Sequence, residues 1–264
     1  MRLRLCHLYP DLMNLYGDRG NVLALTQRCA WRGIELEVVP VSLGEKVGFT
    51  AFDIVFMGGG QDKEQMLIAR DFHTVKGSAL AEAVADGVPL LAVCGGYQLL
   101  GRFYETGGGR RLRGVGLFDI ETRAGTKRMI GNVVATSTLD AGRLRTLVGF
   151  ENHSGRTYLG PGMRPLGRVL VGYGNNGEDG QEGAVLRHAL GTYLHGSVLP
   201  KNPWLCDWLI ARALARRYGE GTALAPLDDR IEIRAHRAAV RNALHRARRD
   251  RTPVRSRRIP GLRP

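Results

Sequence analysis

Short apolar runs alternate with amphipathic stretches along the first hundred residues of the chain. The apolar runs predict buried strands over residues 2–8, 36–41, 53–57 and 88–93. Helical spacing of the apolar positions between them predicts helices over residues 21–32 and 76–86. This alternation is typical of an α/β protein with helices on both faces of its sheet. We therefore expect a three-layer sandwich around a mainly parallel central sheet.

The pattern changes after residue 101, where strand-like runs follow one another with few helices between them. They predict strands over residues 116–122, 132–138, 168–174, 184–187 and 190–194. Two long helices are predicted next, over residues 203–218 and over residues 228 to 249, the second with a basic outer face. We expect one domain over residues 1–249 and a disordered basic tail over residues 250–264, where prolines and arginines replace apolar residues.

The bulk composition is that of a globular protein, with 44% hydrophobic residues in a chain of 264. No apolar run reaches the roughly eighteen residues of a membrane span, and the first residues lack the apolar core of a secretory signal. We therefore expect a cytoplasmic protein. The four cysteines are widely scattered along the chain, which favours reduced thiols and no bound metal.

The net charge of +13 is concentrated towards the C-terminal end. From residue 220 onward the chain has twelve arginines, no lysine and five acidic residues. Such a segment is either a solvated charged surface or a site for an anionic partner, such as nucleic acid or membrane lipid. We expect no nucleic acid partner. The basic tail instead suggests contact with the anionic inner face of the membrane.

The most informative residue is Cys94, which ends an apolar run and is followed at once by Gly95 and Gly96 and a helix-like stretch. This order predicts a strand, a tight turn that carries the thiol, and a helix. The glycines permit the turn and leave backbone N–H groups open to a substrate oxygen. The positive end of the helix favours thiolate over thiol. A buried structural cysteine is the alternative, but the two glycines favour a nucleophile.

A nucleophile of this kind needs a base, and His195 is the best placed of the seven histidines. It follows another predicted strand, and parallel sheets gather their active groups where strands end. His153 is the main alternative, and His7 is the next. A single histidine is more often structural, but the strand end and the glycine that follows favour His195 as the base.

The glycines after the third predicted strand, in Met57-Gly-Gly-Gly60, can supply an oxyanion site. The N–H of Gly59 or Gly60 would join that of Gly95 around a substrate oxygen. The loop lacks the lysine and Ser/Thr spacing of a phosphate-binding loop. The sequence therefore offers no evident means of activating a substrate with ATP.

The order of these motifs resembles the class I glutamine amidotransferases and, within them, the cobyric acid synthase-like branch. The motifs are the glycine loop, the Cys94 elbow with Gly95 and Gln98, and the His195 strand end. Further segments resemble the family of glutaminase subunits found in lipid II isoglutaminyl synthases, namely residues 8–21, 127–132 and 149–153. The resemblance extends from residue 1 to about residue 249.

The resemblance implies a class I amidotransferase-like fold and a glutaminase that passes ammonia to a Mur-ligase-like synthetase subunit in a heterodimer. The partner would use ATP and Mg²⁺ to amidate D-glutamate in the lipid II stem peptide, a step of peptidoglycan synthesis, and this chain would bind no cofactor. It also implies that Cys94 attacks the side-chain amide of L-glutamine and that His195 transfers the protons. The N–H groups of Gly60 and Gly95 would hold the oxyanion.

Three residues are candidates for holding the substrate. Arg128 lies in a family segment, and its guanidinium suits the α-carboxylate of glutamine. Gln98 lies one helical turn after the thiol, at a position that contacts substrate in related enzymes, and Asn152 is a weaker candidate. The sequence departs from the family at Ser197, where most class I enzymes have the glutamate that orients the histidine. The orienting group is therefore another residue of this chain or an acidic residue of the partner.

Three other functions fit parts of the sequence. The nearest is a glutaminase that serves another synthetase, such as a cobalamin-pathway amidase, although those usually carry their ATP domain in the same chain. Another is a thiol hydrolase or isomerase of the same superfamily, which would not need a partner. A non-enzymatic binding module is supported only by the arginine-rich tail.

Overall fold

The computed structural model describes residues 1–139, 143–195 and 197–250 of the chain. The strands are β1 (Arg2–Leu8), β2 (Glu35–Val41), β3 (Ile54–Met57), β4 (Leu90–Val93), β5 (Phe103–Glu105), β6 (Arg111–Arg113), β7 (Ile120–Arg123), β8 (Met129–Ser137), β9 (Thr146–His153), β10 (Arg156–Leu159), β11 (Gly167–Val171), β12 (Gln181–Glu182), β13 (Ala184–Leu186) and β14 (Ala189–Thr192). The helices are α1 (Arg19–Ala30), α2 (Asp62–Asp71), α3 (Gly77–Ala85), α4 (Gly95–Leu100), α5 (Val198–Lys201), α6 (Pro203–Tyr218) and α7 (Arg230–Asp250), with a π-helical turn at Phe72–Lys76.

The first sheet has the strand order β13-β14-β4-β3-β1-β2. All of its pairs are parallel except β13–β14 at one edge. Every residue of β3, β4 and β14 is buried, which explains why these strands are continuous apolar runs in the sequence. Helix α1 packs against β2 and α6, and α6 packs against β3. The predicted α/β fold with a mainly parallel central sheet is confirmed.

Two further sheets are built from the second half of the chain. One has the order β10-β7-β5-β6, and the other, β12-β11-β8-β9, is antiparallel throughout. A backbone bridge between Phe150 of β9 and His195 joins the antiparallel sheet to the segment that follows β14. The antiparallel sheet therefore lies against the carboxyl end of the parallel sheet.

Helix α7 covers the antiparallel sheet with its apolar face, where Val240 and Ala243 are buried. The segment before the helix is held by Arg28, a buried residue of α1 that donates hydrogen bonds to Asp207 of α6 and to Asp229. Loss of one partner from a buried ion pair leaves an uncompensated charge, which destabilises the fold strongly. This network therefore ties the predicted final helix to the rest of the domain.

The structure contains several helices and strands that the sequence did not predict, among them α2 and β9. Helix α2 begins with the polar stretch Asp62-Lys-Glu-Gln65, which carries no amphipathic pattern. Strand β9 combines Gly149 with polar residues near its end, although six of its eight residues are buried. Of the tail predicted to be disordered over residues 250–264, Asp250 is the last residue of α7, and residues 251–264 lie outside the described residues. None of the helices in the described ranges has the length and apolarity of a membrane span.

Candidate active site

The parallel sheet brings four loops to one edge. In register, Leu8 of β1 lies beside Met57 of β3, and Met57 lies beside Ala92 of β4. On the other side of β4, Val93 lies beside Thr192 of β14. The segments that follow these four strands therefore start side by side, as expected for the carboxyl edge of a parallel sheet. They carry all of the predicted catalytic groups.

Cys94 lies at a strained turn between β4 and α4. Its φ of 48° and ψ of −105° fall outside the regions that non-glycine residues ordinarily adopt. Its N–H donates to the carbonyl oxygen of Thr192 at 2.8 Å, which holds the turn against β14. A Cβ atom on Gly95 would lie 2.8 Å from the Gly60 oxygen, so only glycine allows the two loops to approach so closely. The predicted elbow is therefore present.

His195 is buried next to the sulfur. A Cβ atom placed on Gly59 would lie 2.9 Å from His195 Cε1 and 3.3 Å from Cys94 Cβ, so both side chains border the same glycine. Burial lowers the pKa of His195, but the Cys94 sulfur and the Asp18 carboxylate outweigh it and raise the pKa to about 10. The environment therefore favours an imidazolium beside the sulfur.

Asp18 is the carboxylate that the sequence left unassigned. It lies at the N-terminal end of α1 and is 1% exposed. Its Oδ1 lies 3.8 Å from His195 Nδ1, the separation of an ion pair rather than of a hydrogen bond. Its Oδ2 accepts a hydrogen bond of 2.6 Å from the N–H of Gly59. The acidic partner of the imidazole therefore comes from the loop after β1, whereas Ser197 donates its hydroxyl to the Gly17 carbonyl oxygen instead.

The glycine loop is held by the same segment. The Gly59 N–H is engaged by Asp18, and the Gly59 oxygen accepts a hydrogen bond from the Leu15 N–H at 3.1 Å. This leaves Gly60 as the member of the loop suited to the oxyanion. The Gly60 nitrogen would lie 2.9 Å from a Cβ atom on Gly95, so the two predicted N–H groups belong to adjoining loops.

A cavity of about 540 Å³ opens onto the sulfur and is large enough for an amino acid. The predicted residues Cys94, Gly60, Gln98, Arg128 and Asn152 all line it. Cys94 and Gly60 come from loops of the parallel sheet, and Gln98 comes from α4. Asn152 lies in β9 of the antiparallel sheet, and Arg128 lies just before β8 of that sheet. The structure therefore brings the predicted nucleophile and the predicted substrate-binding residues to one site.

Arg128 lies just before β8 and reaches across to the end of β9. Its Nε donates to Asn152 Oδ1 at 2.6 Å, and its Nη2 lies 3.4 Å from the Asn152 carbonyl oxygen. These contacts use only part of a guanidinium that has five N–H donors. Asn152 therefore fixes Arg128 through Nε and Nη2, and the N–H donors of Nη1 and the second N–H of Nη2 can serve a carboxylate.

The amide of Gln98 is held on both sides. Its Oε1 accepts a hydrogen bond from Gln65 of α2 at 2.9 Å, and its Nε2 donates to the Tyr193 hydroxyl at 3.0 Å. Gln65 also donates to the Gly95 carbonyl oxygen at 3.2 Å. Gln98 is thus a fixed part of the cavity wall, one turn from the sulfur.

His153, the alternative base, has a different environment. Its ring stacks on Tyr193 with 3.5 Å between ring centroids, and its Nδ1 lies 2.9 Å from the Gly155 carbonyl oxygen. Burial lowers its pKa to about 3. The Glu151 carboxyl lies 3.9 Å from His153 Nε2, but burial raises the pKa of that carboxyl to about 8 and so favours its neutral form. His153 therefore shapes the cavity wall, whereas His195 has the Asp18 carboxylate and the Cys94 sulfur as charged partners for proton transfer.

The resemblance to glutaminases implies glutamine as the substrate, so we expect Arg128→Ala to raise the KM for glutamine at least about tenfold and to change kcat much less, because the expected charged contact to the α-carboxylate is lost. Steady-state glutaminase kinetics of the purified protein measure both constants. Arg113→Ala, which removes an exposed arginine of β6, is the matched control. An unchanged KM in Arg128→Ala would contradict the assignment.

Glu151 makes the stability of the fold depend on pH. Its carboxylate is fully buried and accepts hydrogen bonds from the N–H groups of Tyr173 and Gly174. Burial raises its pKa from 4.5 to about 8, so the folded protein holds a proton there that the unfolded chain has released. This contribution to stability is complete below pH 4.5 and is lost as the pH rises through 8.

We therefore expect Glu151→Gln, which cannot ionise, to lose less stability than wild type between pH 5 and pH 8. The variant loses one hydrogen-bond acceptor at every pH. The difference between its free energy of unfolding and that of wild type should shrink by at least about 1.4 kcal/mol across this interval. Urea denaturation at the two pH values measures it, with exposed Glu45→Gln as the control. A difference that stays constant with pH would argue against the buried proton.

A thiol beside a buried imidazolium, at the carboxyl edge of a parallel sheet, defines a thiol-dependent acyl-transfer enzyme. The chain belongs to the CobB/CobQ-like glutamine amidotransferase family, whose domain matches residues 4–203. The family expected from the sequence is thus confirmed, and the protein is a glutamine-hydrolysing component of an amidotransferase system.

The most similar curated proteins include two named as lipid II isoglutaminyl synthase (glutamine-hydrolyzing) subunit GatD. The protein from Staphylococcus aureus is 42% identical over 243 residues, which cover 91% of this chain and 96% of that protein. The protein from Streptococcus pneumoniae is 40% identical and is covered over 86% of its length. The resemblance to this group of subunits is therefore confirmed over nearly the whole chain.

More distant similarities agree with this family. Cobyric acid synthase of Pelotomaculum thermopropionicum is 36% identical over 166 residues, which are 31% of its length. Among solved structures, a chain from the structure of PurLQS from Thermotoga maritima covers 92% of this chain, with a TM-score of 0.56 and 16% identity. The CTPS glutaminase domain of Trypanosoma brucei has a TM-score of 0.53 and 13% identity. These two structures support the fold.

Proposed function

We propose that this chain is the glutaminase subunit of a lipid II isoglutaminyl synthase. It hydrolyses L-glutamine and delivers ammonia to a Mur-ligase-like synthetase subunit, which amidates D-glutamate in the lipid II stem peptide. The observation that carries the proposal is the match of this chain to 96% of the length of a protein named as such a subunit. The cavity that joins Cys94 to Arg128 supports the glutaminase half of the proposal.

The reaction begins when the Cys94 thiolate attacks the side-chain amide carbon of glutamine. The carbonyl π electrons move to the oxygen, and the N–H groups of Gly60 and Gly95 stabilise the oxyanion. The His195 imidazolium donates its proton to the amide nitrogen, the carbon–nitrogen bond breaks, and ammonia leaves a thioester on Cys94.

Water completes the cycle. Neutral His195 takes a proton from water, the resulting hydroxide attacks the thioester carbon, and the carbon–sulfur bond breaks to release glutamate. The sulfur leaves as the thiolate and His195 remains an imidazolium, which restores the starting pair. Asp18 lies 3.8 Å from the imidazole and stabilises its charged form at the beginning and end of this sequence. The balance is glutamine and water to glutamate and ammonia.

The synthetase half of the reaction is assigned to the partner. Activation of the D-glutamate carboxylate needs ATP and Mg²⁺, and we place both on the Mur-ligase-like subunit. The glycine loop at Gly58–Gly60 supports this division. Its Gly59 N–H donates to Asp18 and its Gly59 oxygen accepts from Leu15, so Gly59 is engaged within this chain, beside the sulfur.

Glutamine-dependent amidation of lipid II tests the proposal directly. The chain is purified together with a Mur-ligase-like protein from the same organism and is supplied with glutamine, ATP, Mg²⁺ and lipid II. The product expected is lipid II with D-isoglutamine, detected by mass spectrometry. Glutamine hydrolysis without lipid II amidation would support the glutaminase activity but contradict lipid II as the acceptor of the ammonia.

The same complex decides whether assembly activates the enzyme. Because Asp18 is an acid within this chain, we infer that the isolated subunit hydrolyses glutamine without an acid from the partner. Glutaminase rates of the isolated subunit and of the complex should then agree within a few fold. An increase of about a hundredfold on assembly would instead assign the orienting acid to the partner.

Residues 251–264 of the basic tail are proposed to contact anionic lipid near the membrane-bound substrate. Its five arginines support this through charge alone, at about 1 kcal/mol for each residue near the surface. Co-sedimentation with phosphatidylglycerol vesicles should fall when residues 251–264 are deleted, and it should also fall in high salt. Equal sedimentation of both proteins would remove the tail from this role.

A further inference from the structure

The active-site cavity is lined by charged groups of both signs. Arg128 and Lys63 are the cations in its wall, and Asp62 is the single carboxylate among the described residues that line it. Free glutamine carries both an α-carboxylate and an α-ammonium. Arg128 suits the α-carboxylate, and the α-ammonium needs an acidic or uncharged acceptor.

The side-chain amide oxygens of Gln98 and Asn152, the two predicted amide residues of the wall, are already engaged. Gln98 Oε1 accepts a hydrogen bond from Gln65, and Asn152 Oδ1 accepts one from Arg128. Neither offers the negative charge that an ammonium prefers. Asp62 is thus the group in this wall whose chemistry matches the remaining substrate charge.

Asp62 is held in place by hydrogen bonds from β5 and from the segment that follows it. It is the first residue of α2, and its Oδ1 accepts a hydrogen bond of 2.6 Å from the Tyr104 hydroxyl. Its Oδ2 accepts one of 3.2 Å from the Gly107 N–H. Tyr104 belongs to β5 and also lines the cavity. A carboxylate has about four acceptor positions, so these two bonds fix its orientation and leave room for another donor.

We propose that Asp62 binds the α-ammonium of L-glutamine and thereby restricts the site to the free amino acid. Tyr104 is a positioning residue, because it acts on the substrate by orienting the Asp62 carboxylate. The proposal rests on the proposed glutaminase function. It also gives the site a specificity that Arg128 alone does not provide, since any carboxylate on a suitable chain would satisfy a guanidinium.

The competing interpretation is purely structural. An acidic residue in the first turn of a helix stabilises that helix, and Asp62 also links α2 to β5 through Tyr104. A structural role would affect all substrates equally, whereas recognition of the ammonium would affect only substrates that carry one. The two interpretations therefore differ in a measurable ratio.

The test compares L-glutamine with glutaramate, which has the same side-chain amide and carboxylate but no amino group. We measure kcat/KM for both with the full chain in wild-type and Asp62→Asn forms. Wild type should prefer L-glutamine, and Asp62→Asn should reduce this preference at least tenfold, mainly through the KM for L-glutamine. Asp62→Glu, which keeps the charge, should recover part of the preference.

An equal loss for both substrates in Asp62→Asn would overturn the proposal and favour the structural role, and so would an unchanged preference. Either result would leave the glutaminase function in place. A wild-type protein that hydrolyses neither substrate would instead contradict the proposed function itself. Tyr104→Phe, which keeps the carboxylate but loses its orienting bond, should reduce the preference less than Asp62→Asn does.

Discussion

Cys94→Ser is expected to lower glutamine-dependent amidation at least about a thousandfold while amidation from added ammonia continues. A serine hydroxyl is far less acidic than a thiol, so the His195 imidazolium would face an un-ionised nucleophile and the acyl intermediate would not form. Ammonia enters the synthetase reaction after the thioester step and does not need the sulfur. Assays of the complex with glutamine or with ammonium chloride measure the two rates.

Cys29→Ala is the matched control for this substitution. Cys29 is also buried, and burial raises its pKa to about 12, so it is not a nucleophile at neutral pH. The control should keep both activities, and iodoacetamide should inactivate it as it does wild type. Loss of the ammonia-dependent reaction in Cys94→Ser would mean that the substitution disrupts the complex rather than the chemistry.

Asp18→Asn is expected to lower kcat for glutamine hydrolysis about a hundredfold. The substitution keeps the size of the side chain but removes the charge that lies 3.8 Å from His195 Nδ1. Burial lowers the pKa of His195, and without the Asp18 charge less electrostatic stabilisation of the imidazolium would counter it, so the pKa of His195 should fall. The alkaline limb of the kcat/KM profile against pH should move to lower pH than in wild type.

The shift in the pH profile separates an electrostatic role of Asp18 from a structural one. Asp18 also accepts the Gly59 N–H, so a general loosening of the glycine loop could lower kcat without moving the profile. Asp11→Asn removes an exposed carboxylate of the same loop and should match wild type. A normal rate in Asp18→Asn would exclude this residue as the acid that supports His195.

The sequence predicted those site residues whose reactive side chain directly follows a strand. Cys94 and His195 each follow an apolar run and precede glycine, and both lie at the carboxyl edge of the sheet as expected. Asp18 was not predicted as a catalytic group, because it lies ten positions after the end of β1 and no local pattern marks it. Its segment stood out only through the resemblance of residues 8–21 to one family of subunits.

The positions of the predicted substrate-binding residues depend on the pairing of segments that are far apart in the sequence. Asn152 lies in β9 of the antiparallel sheet and Arg128 lies just before β8 of the same sheet. Both reach the cavity because Phe150 of β9 exchanges two backbone hydrogen bonds with His195. Strand β9 has no clear alternating pattern, since polar residues such as Glu151 are buried in it. Asp62 was not predicted as a site residue, because the polar first turn of α2 has no apolar pattern that would predict a helix there.

The sequence alone determined the kind of chemistry, because a thiol at a glycine turn and a histidine at a strand end are local arrangements. It also determined the parallel sheet, since fully buried strands need continuous apolar runs. Only the tertiary structure decided which acid supports His195 and which carboxylate lies in the cavity. Those choices depend on which loops meet in space, and the approach of the loop after β1 to the glycine loop is set by packing across the sheet.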